Sequence, residues 1–151
     1  MGLLLIEQAF NGLQFGVMLF LIAAGLTLVF GIMDLVNLSH GSLVMVGAYL
    51  ATTLIEWTGS FILGILLALP STFLVGVVVE IVVLRTLYER DHLDQVLATF
   101  GLILFFNELI RIVWGPASLY SGLPESISGH VEILPGVPYP AFRLLIILVG
   151  L

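Results

Sequence analysis

The chain has 151 residues, of which 60% are apolar and 9% charged, with ten acidic residues against four arginines, no lysine and no cysteine. An ordinary soluble domain is about 45–50% apolar and about 25% charged, so one domain of this length has no interior large enough to hide its apolar surface from water. Soluble enzymes are thereby disfavoured, and a mean hydropathy of +1.23 places the chain among multi-span membrane proteins. A net charge of −6 without a basic cluster argues against nucleic acid as a partner, and the missing cysteine removes disulfides, thiol nucleophiles and sulfur-ligated metals.

Residues Met1 to Phe10 lack the positive start and small-residue cleavage site of a signal peptide and read as mature sequence. A first helix is expected over about residues 10–32, long enough at about 34 Å to cross a bilayer with some tilt. A polar interruption follows, G-I-M-D-L-V-N-L-S-H-G-S from Gly31 to Ser42. A second, short helix is expected over 41–57, ended by the turn Trp57-Thr58-Gly59-Ser60, and a third over 61–84 with Pro70 inside it. The polar stretch R-T-L-Y-E-R-D-H-L-D, residues 85–94, must lie outside hydrocarbon. A fourth helix is expected over 95–114, with Asp94 as N-cap and Gly115-Pro116 as stop signal. Residues 115–140 hold five of the six prolines and no arginine, with a short strand or hairpin arm between Ile127 and Leu134. The segment 141–151 begins an apolar helix that stops before it could cross. The expected fold is an all-α, polytopic transmembrane helix bundle: one domain over 1–151 with four full or near-full spans, the start of a fifth, and a broken-helix element between the first two helices.

Positive charge marks cytoplasmic loops, so the loop holding Arg85 and Arg90 is expected inside and the arginine-free 115–140 loop outside. If the 34–40 break is a complete reversal, the N-terminus is extracytoplasmic. Trp57, Trp114, Tyr120 and Tyr139 then fall at or beyond the outer interface, where such rings are enriched.

The break is the most informative stretch. Asp34, Asn37, Ser39 and His40 are costly in lipid and must sit in protein, in a wet cavity or at the interface. With Gly41 and Ser42 they form either an interfacial turn that caps the second helix through Asn37 or Ser39, or a broken helix serving as hinge or translocation-path element. Small residues at G-x-x-x-G-like spacing (Gly12 and Gly16, Gly47 and Ala51, Gly64 and Ala68) favour close helix packing. Glu80 reads as an interfacial salt-bridge or snorkelling residue rather than a proton relay, and Glu108 and Arg111 are spaced to pair. In the inner loop, Arg85, Tyr88, Arg90 and Asp91 make either a solvated turn or a docking face. No P-loop, metal-ligand set or cofactor motif is present, so any ATP-driven role needs another subunit.

The run N-G-L-Q-F-G-V-M-L-F-L-I-A-A-G-L-T-L-V-F-G-I-M-D-L-V-N-L-S-H-G-S-L-V-M-V-G-A-Y-L and the block E-I-V-V-L-R-T-L-Y-E-R-D-H-L-D-Q-V-L-A-T-F-G-L-I-L-F-F-N-E-L-I-R-I-V-W-G resemble, in the same order, the inner-membrane permease of branched-chain amino acid ABC transporters. The resemblance covers about residues 11–151. It implies import of leucine, isoleucine, valine or other hydrophobic amino acids by alternating access across the inner membrane. The implied partners are ABC ATPase subunits, a second permease subunit and a periplasmic substrate-binding protein, with the outer loop as a contact for the last. Sugar-importing ABC permeases carry a similar D-L-S-x-G-S signature at the matching break, which favours a broken-helix role for residues 37–42. Members of the family are about twice as long, so the chain is expected to represent the N-terminal half, as a fragment or a truncated product. Glu108 is a smaller departure from the family pattern. The alternatives from other classes are a self-contained oligomeric channel or secondary carrier, and a nonfunctional membrane fragment.

Overall fold

From Gly2 to Met33 the chain has no proline and no charge except Glu7, and nothing in it stops a helix once started. It forms one helix, α1 (Gly2–Met33), beginning well before residue 10 because the leading Leu and Ile residues propagate it. The computed structural model describes residues 2–117, 119, 128–134 and 137–151. After the break come α2 (His40–Thr58), α3 (Phe61–Val82), a single 3-10 turn (Leu84–Leu87) and α4 (His92–Trp114). A two-stranded antiparallel hairpin, β1 (His130–Leu134) with β2 (Val137–Pro140), then leads into α5 (Ala141–Gly150). The hairpin lies in the expected outer loop, pairing His130 with Pro140 and Val131 with Tyr139. Residues 118, 120–127, 135 and 136, and with them the expectations for Tyr120 and for the start of a strand at Ile127, lie outside the described residues.

The described fold is therefore helical with a small hairpin. Three helices are long and apolar enough to cross a membrane: α1 over Leu4–Met33, α3 and α4. The 19-residue α2 is not among them, because His40, Ser42, Thr52, Thr53, Glu56 and Thr58 dilute its apolar content. The ten-residue α5 is too short.

The chain packs as two units, residues 1–25 with 122–151 and residues 26–121. In the first, the buried Tyr139 stacks on Phe10 with ring centroids 5.5 Å apart and donates its hydroxyl to Asn11 Oδ1, which also accepts from Arg143. Gly150 lies against Val17 so closely that a Cβ there would collide with its side chain. No such neighbour stands within 4 Å of a Cβ built at Gly12 or Gly16.

In the second unit, α2 packs along α3 and α4, and the 3-10 turn folds back on α3. The core joins Leu35 of the break to Val46, Val79, Leu84, Leu87, Phe106 and Ile110. Gly59, with φ of 62°, supplies the left-handed residue that lets α3 follow α2 almost at once. Gly64 then sets the spacing of the pair: a Cβ there would meet Ile55 Cα at 2.6 Å and its nitrogen at 2.7 Å. Pro70 is accommodated inside α3, which stays helical through it, and Ser71 donates its hydroxyl to the Leu67 carbonyl. At the far end, Trp114 Nε1 donates to Thr53 Oγ1 at 2.7 Å and its ring lies 5.4 Å from that of Tyr49.

Two local expectations change. The helix α4 begins at His92 after Asp91 in the N-cap position, placing Asp94 in the first turn, where a carboxylate favours the positive helix end. Glu108 and Arg111 are exposed and form no ion pair among the described residues, because an exposed pair at this spacing gains too little to hold two long side chains in one geometry.

Candidate functional site

The break starts where α1 ends. Asp34 donates its N–H to the Phe30 carbonyl and turns left-handed at φ 49°, a conformation that aspartate tolerates better than most residues. From there the chain runs without regular structure to Ser39, and the backbone N–H groups of Val36, Leu38 and Ser39 are held by side chains. Asn37, 4% exposed, accepts from the Ser39 N–H at 3.0 Å and from the Ser39 hydroxyl at 2.7 Å. Ser39, fully buried, occupies the N-cap position of α2, but its hydroxyl is spent on Asn37 and does not cap the helix. The local closure is an Asx turn built by Asn37.

Two residues of α4 hold this turn from across the core. Gln95 Oε1 accepts from the Val36 N–H at 3.0 Å, and Thr99 Oγ1 accepts from the Leu38 N–H at 3.2 Å. The Thr99 hydroxyl donates to the Gln95 carbonyl at 2.7 Å. The Gln95 amide donates in turn to the Leu87 and Arg90 carbonyls, each at 3.2 Å, and its oxygen lies 3.3 Å from His92 Nδ1. Gln95 is 2% and Thr99 0% exposed. Neither was singled out from the sequence. The signal was two polar residues four apart on an apolar helix, hence on one face, both inward.

The sequence candidates therefore divide. Asn37, Ser39 and Ser42 are buried in the break, His40 is partly buried, and Asp34 and Gly41 are exposed. Nothing stands within 4 Å of a Cβ built at Gly41. Arg85, Tyr88, Arg90 and Asp91 are all exposed in the polar loop between α3 and α4. The structure brings Asp34 to that loop: a polar cleft of about 300 Å³ is lined by Asp34, Tyr88, Glu89, Arg90, Asp91 and His92, with Gln95 at its base. An apolar groove of about 440 Å³ opens on the other face of the break between Leu26, Phe30, Leu35 and Leu38.

Beside the cleft, Arg85 grips Glu80 in a two-pronged ion pair, both contacts at 3.2 Å, and Tyr88 donates its hydroxyl to Glu80 Oε1 at 3.0 Å. Burial, followed by this hydrogen bond to a carboxylate, raises the Tyr88 phenol above its usual range. The group fastens the end of α3 to the loop.

The sequence matches the family described as the branched-chain amino acid transport system permease component over residues 8–151. The chain belongs to that family. The chain is 31% identical over 116 residues to the high-affinity branched-chain amino acid transport system permease protein BraD of Pseudomonas aeruginosa, covering 71% of this chain and 38% of that protein. It is 27% identical over 141 residues to LivH, the permease protein of the corresponding Escherichia coli system, covering 84% of this chain and 45% of LivH. The LivH of Salmonella typhimurium is similar at 27% over 138 residues. The chain thus spans less than half the length of these curated relatives. No solved structure matches it.

Proposed function

We propose that this chain supplies part of the translocation path of an ATP-driven importer of branched-chain or other hydrophobic amino acids in the inner membrane. The carrying observation is the family match over residues 8–151. In this reading the chain is a transport subunit and not an enzyme: ATP is hydrolysed by separate ABC ATPase subunits, and a periplasmic binding protein and a second permease subunit complete the assembly.

The finer architecture belongs to the same proposal. The helix α2 serves as a fourth span and α5 as the start of a fifth. In support, the hydroxyls of Thr52, Thr53 and Thr58 each bond a carbonyl four residues back, which lowers the cost of placing α2 in lipid. The loop bearing Arg85, Tyr88, Arg90 and Asp91 faces the ATPase, the 115–140 segment faces the binding protein, and the N-terminus is extracytoplasmic. Residues 34–42 act as the hinge of alternating access, supported by a break in which the N–H groups of Val36, Leu38 and Ser39 are held by side chains rather than by a helix.

Two measurements test this. Uptake of leucine by the complete transporter is expected to disappear when the P-loop lysine of its ATPase is replaced, and uptake that persists would overturn the reading. For the hinge, Gly41→Leu, at an exposed position where an added Cβ meets none of the described residues within 4 Å, is expected to slow uptake while the complex still assembles. Wild-type uptake would reduce the break to a passive turn.

A further inference from the structure

Gln95 spends both amide protons and accepts from a backbone N–H with its oxygen, all in a nearly solvent-free position, and His92 Nδ1 lies 3.3 Å from the same oxygen. What distinguishes it from an ordinary satisfied core glutamine is where the bonds go. One side of the amide holds the Val36 N–H at the helix break, 59 residues away in the chain. The other holds the Leu87 and Arg90 carbonyls of the charged inner loop. Thr99 grips the same break, but among the described residues it bonds only the break and its own helix and reaches no loop residue.

We propose that Gln95 is a positioning residue that couples the inner loop to the helix break, so that displacement of residues 87–92 is passed to the backbone at Val36. The coupling rests on the permease reading above, in which the loop meets the ATPase. An amide suits the task because its planar group carries donors and acceptors on opposite sides, so the loop carbonyls and the break N–H are held at a set separation. A leucine of similar bulk would fill the space and join nothing. A glutamate would keep an acceptor facing Val36 and, even when protonated by burial, could restore at most one of the two donations to the loop. That asymmetry separates coupling from simple structural support.

The experiment uses the complete permease reconstituted in liposomes with its ATPase subunits and binding protein. It reads leucine transported per ATP hydrolysed, together with amide hydrogen exchange at Val36. Gln95→Glu is expected to leave Val36 protected while leucine moved per ATP falls about tenfold, the effect of losing buried donations. Gln95→Leu is expected to accelerate Val36 exchange about tenfold or more and to lower the same ratio. Wild-type transport per ATP in Gln95→Glu overturns the coupling, whatever Val36 does, and this variant alone decides if Gln95→Leu fails to assemble. A wild-type complex that neither imports leucine nor hydrolyses ATP in response to loaded binding protein overturns the permease reading, and the coupling falls with it. Failure of the coupling alone leaves wild-type import intact.

Discussion

Along α3, the helix α2 is held by the absence of atoms: Gly64 lets the backbone of Ile55 come close, and Gly47 leaves room for the Thr72 side chain, which would stand 3.1 Å from a Cβ there. Along α4 it is held by added polar groups, with Gln95 and Thr99 binding the backbone that leads into α2 and Thr53 meeting Trp114 at the far end. Dispersion between close backbones is short-ranged and tied to one geometry, so the α2–α3 seam suits a pair that moves as one body. Side-chain to backbone hydrogen bonds can be exchanged for others at small net cost, so the α4 seam suits a contact that is made and released. The polar seam is also concentrated where the chain is least regular, at residues 36–39.

Substitutions can break this contrast. The largest effect is expected from Gly64→Leu, which drives a side chain into the Ile55 backbone and separates α2 from α3; a loss of about 3 kcal/mol or failure to assemble is expected, read by thermal unfolding in detergent. A stable protein with normal melting would show that the seam is not close-packed. Next is Thr99→Val, which keeps the volume but leaves the Leu38 N–H without its partner. It is expected to cost about 1–3 kcal/mol and to speed exchange at Leu38 while leaving α3 amides unchanged. Equal acceleration in α3 would mean that the two seams are one cooperative unit. Trp114→Phe removes the bond to Thr53 and is expected to cost about 1 kcal/mol, seen as a small drop in melting temperature. The smallest effect is expected from Asp34→Gly, where relief of the left-handed conformation stabilises the end of α1 by up to about 1 kcal/mol. A destabilised Asp34→Gly would reveal an electrostatic role for the carboxylate in the adjoining cleft.

Much of this architecture was readable along the chain. The break was visible because Asp34, Asn37, Ser39 and His40 cluster between apolar runs, and the loop between α3 and α4 because Arg85 to Asp94 is strongly polar. The small-residue spacing of Gly64 and Ala68 anticipated a close contact, and both are buried. The same spacing at Gly12 and Gly16 meets no neighbour within 4 Å of either Cβ, because the pattern states that approach is allowed and not what approaches. Asn37 and Ser39 were both plausible caps from composition. Only the geometry shows that Ser39 gives its proton to Asn37, since the choice depends on backbone angles that residue type does not set.

What the sequence by itself determined is the medium, the approximate helices, the place of the break and the family, because hydropathy and residue order act locally and leave their mark along the chain. What only the tertiary structure decided is which residues serve the break. Gln95 and Thr99 lie about sixty positions from Val36 and Leu38, and a polar side chain on an apolar helix looks the same in sequence whether it faces solvent, lipid or a distant N–H. Burial makes the difference: where water is excluded, a backbone donor of the break needs a protein partner, and the packing of α4 against the break supplies one to Val36 and one to Leu38.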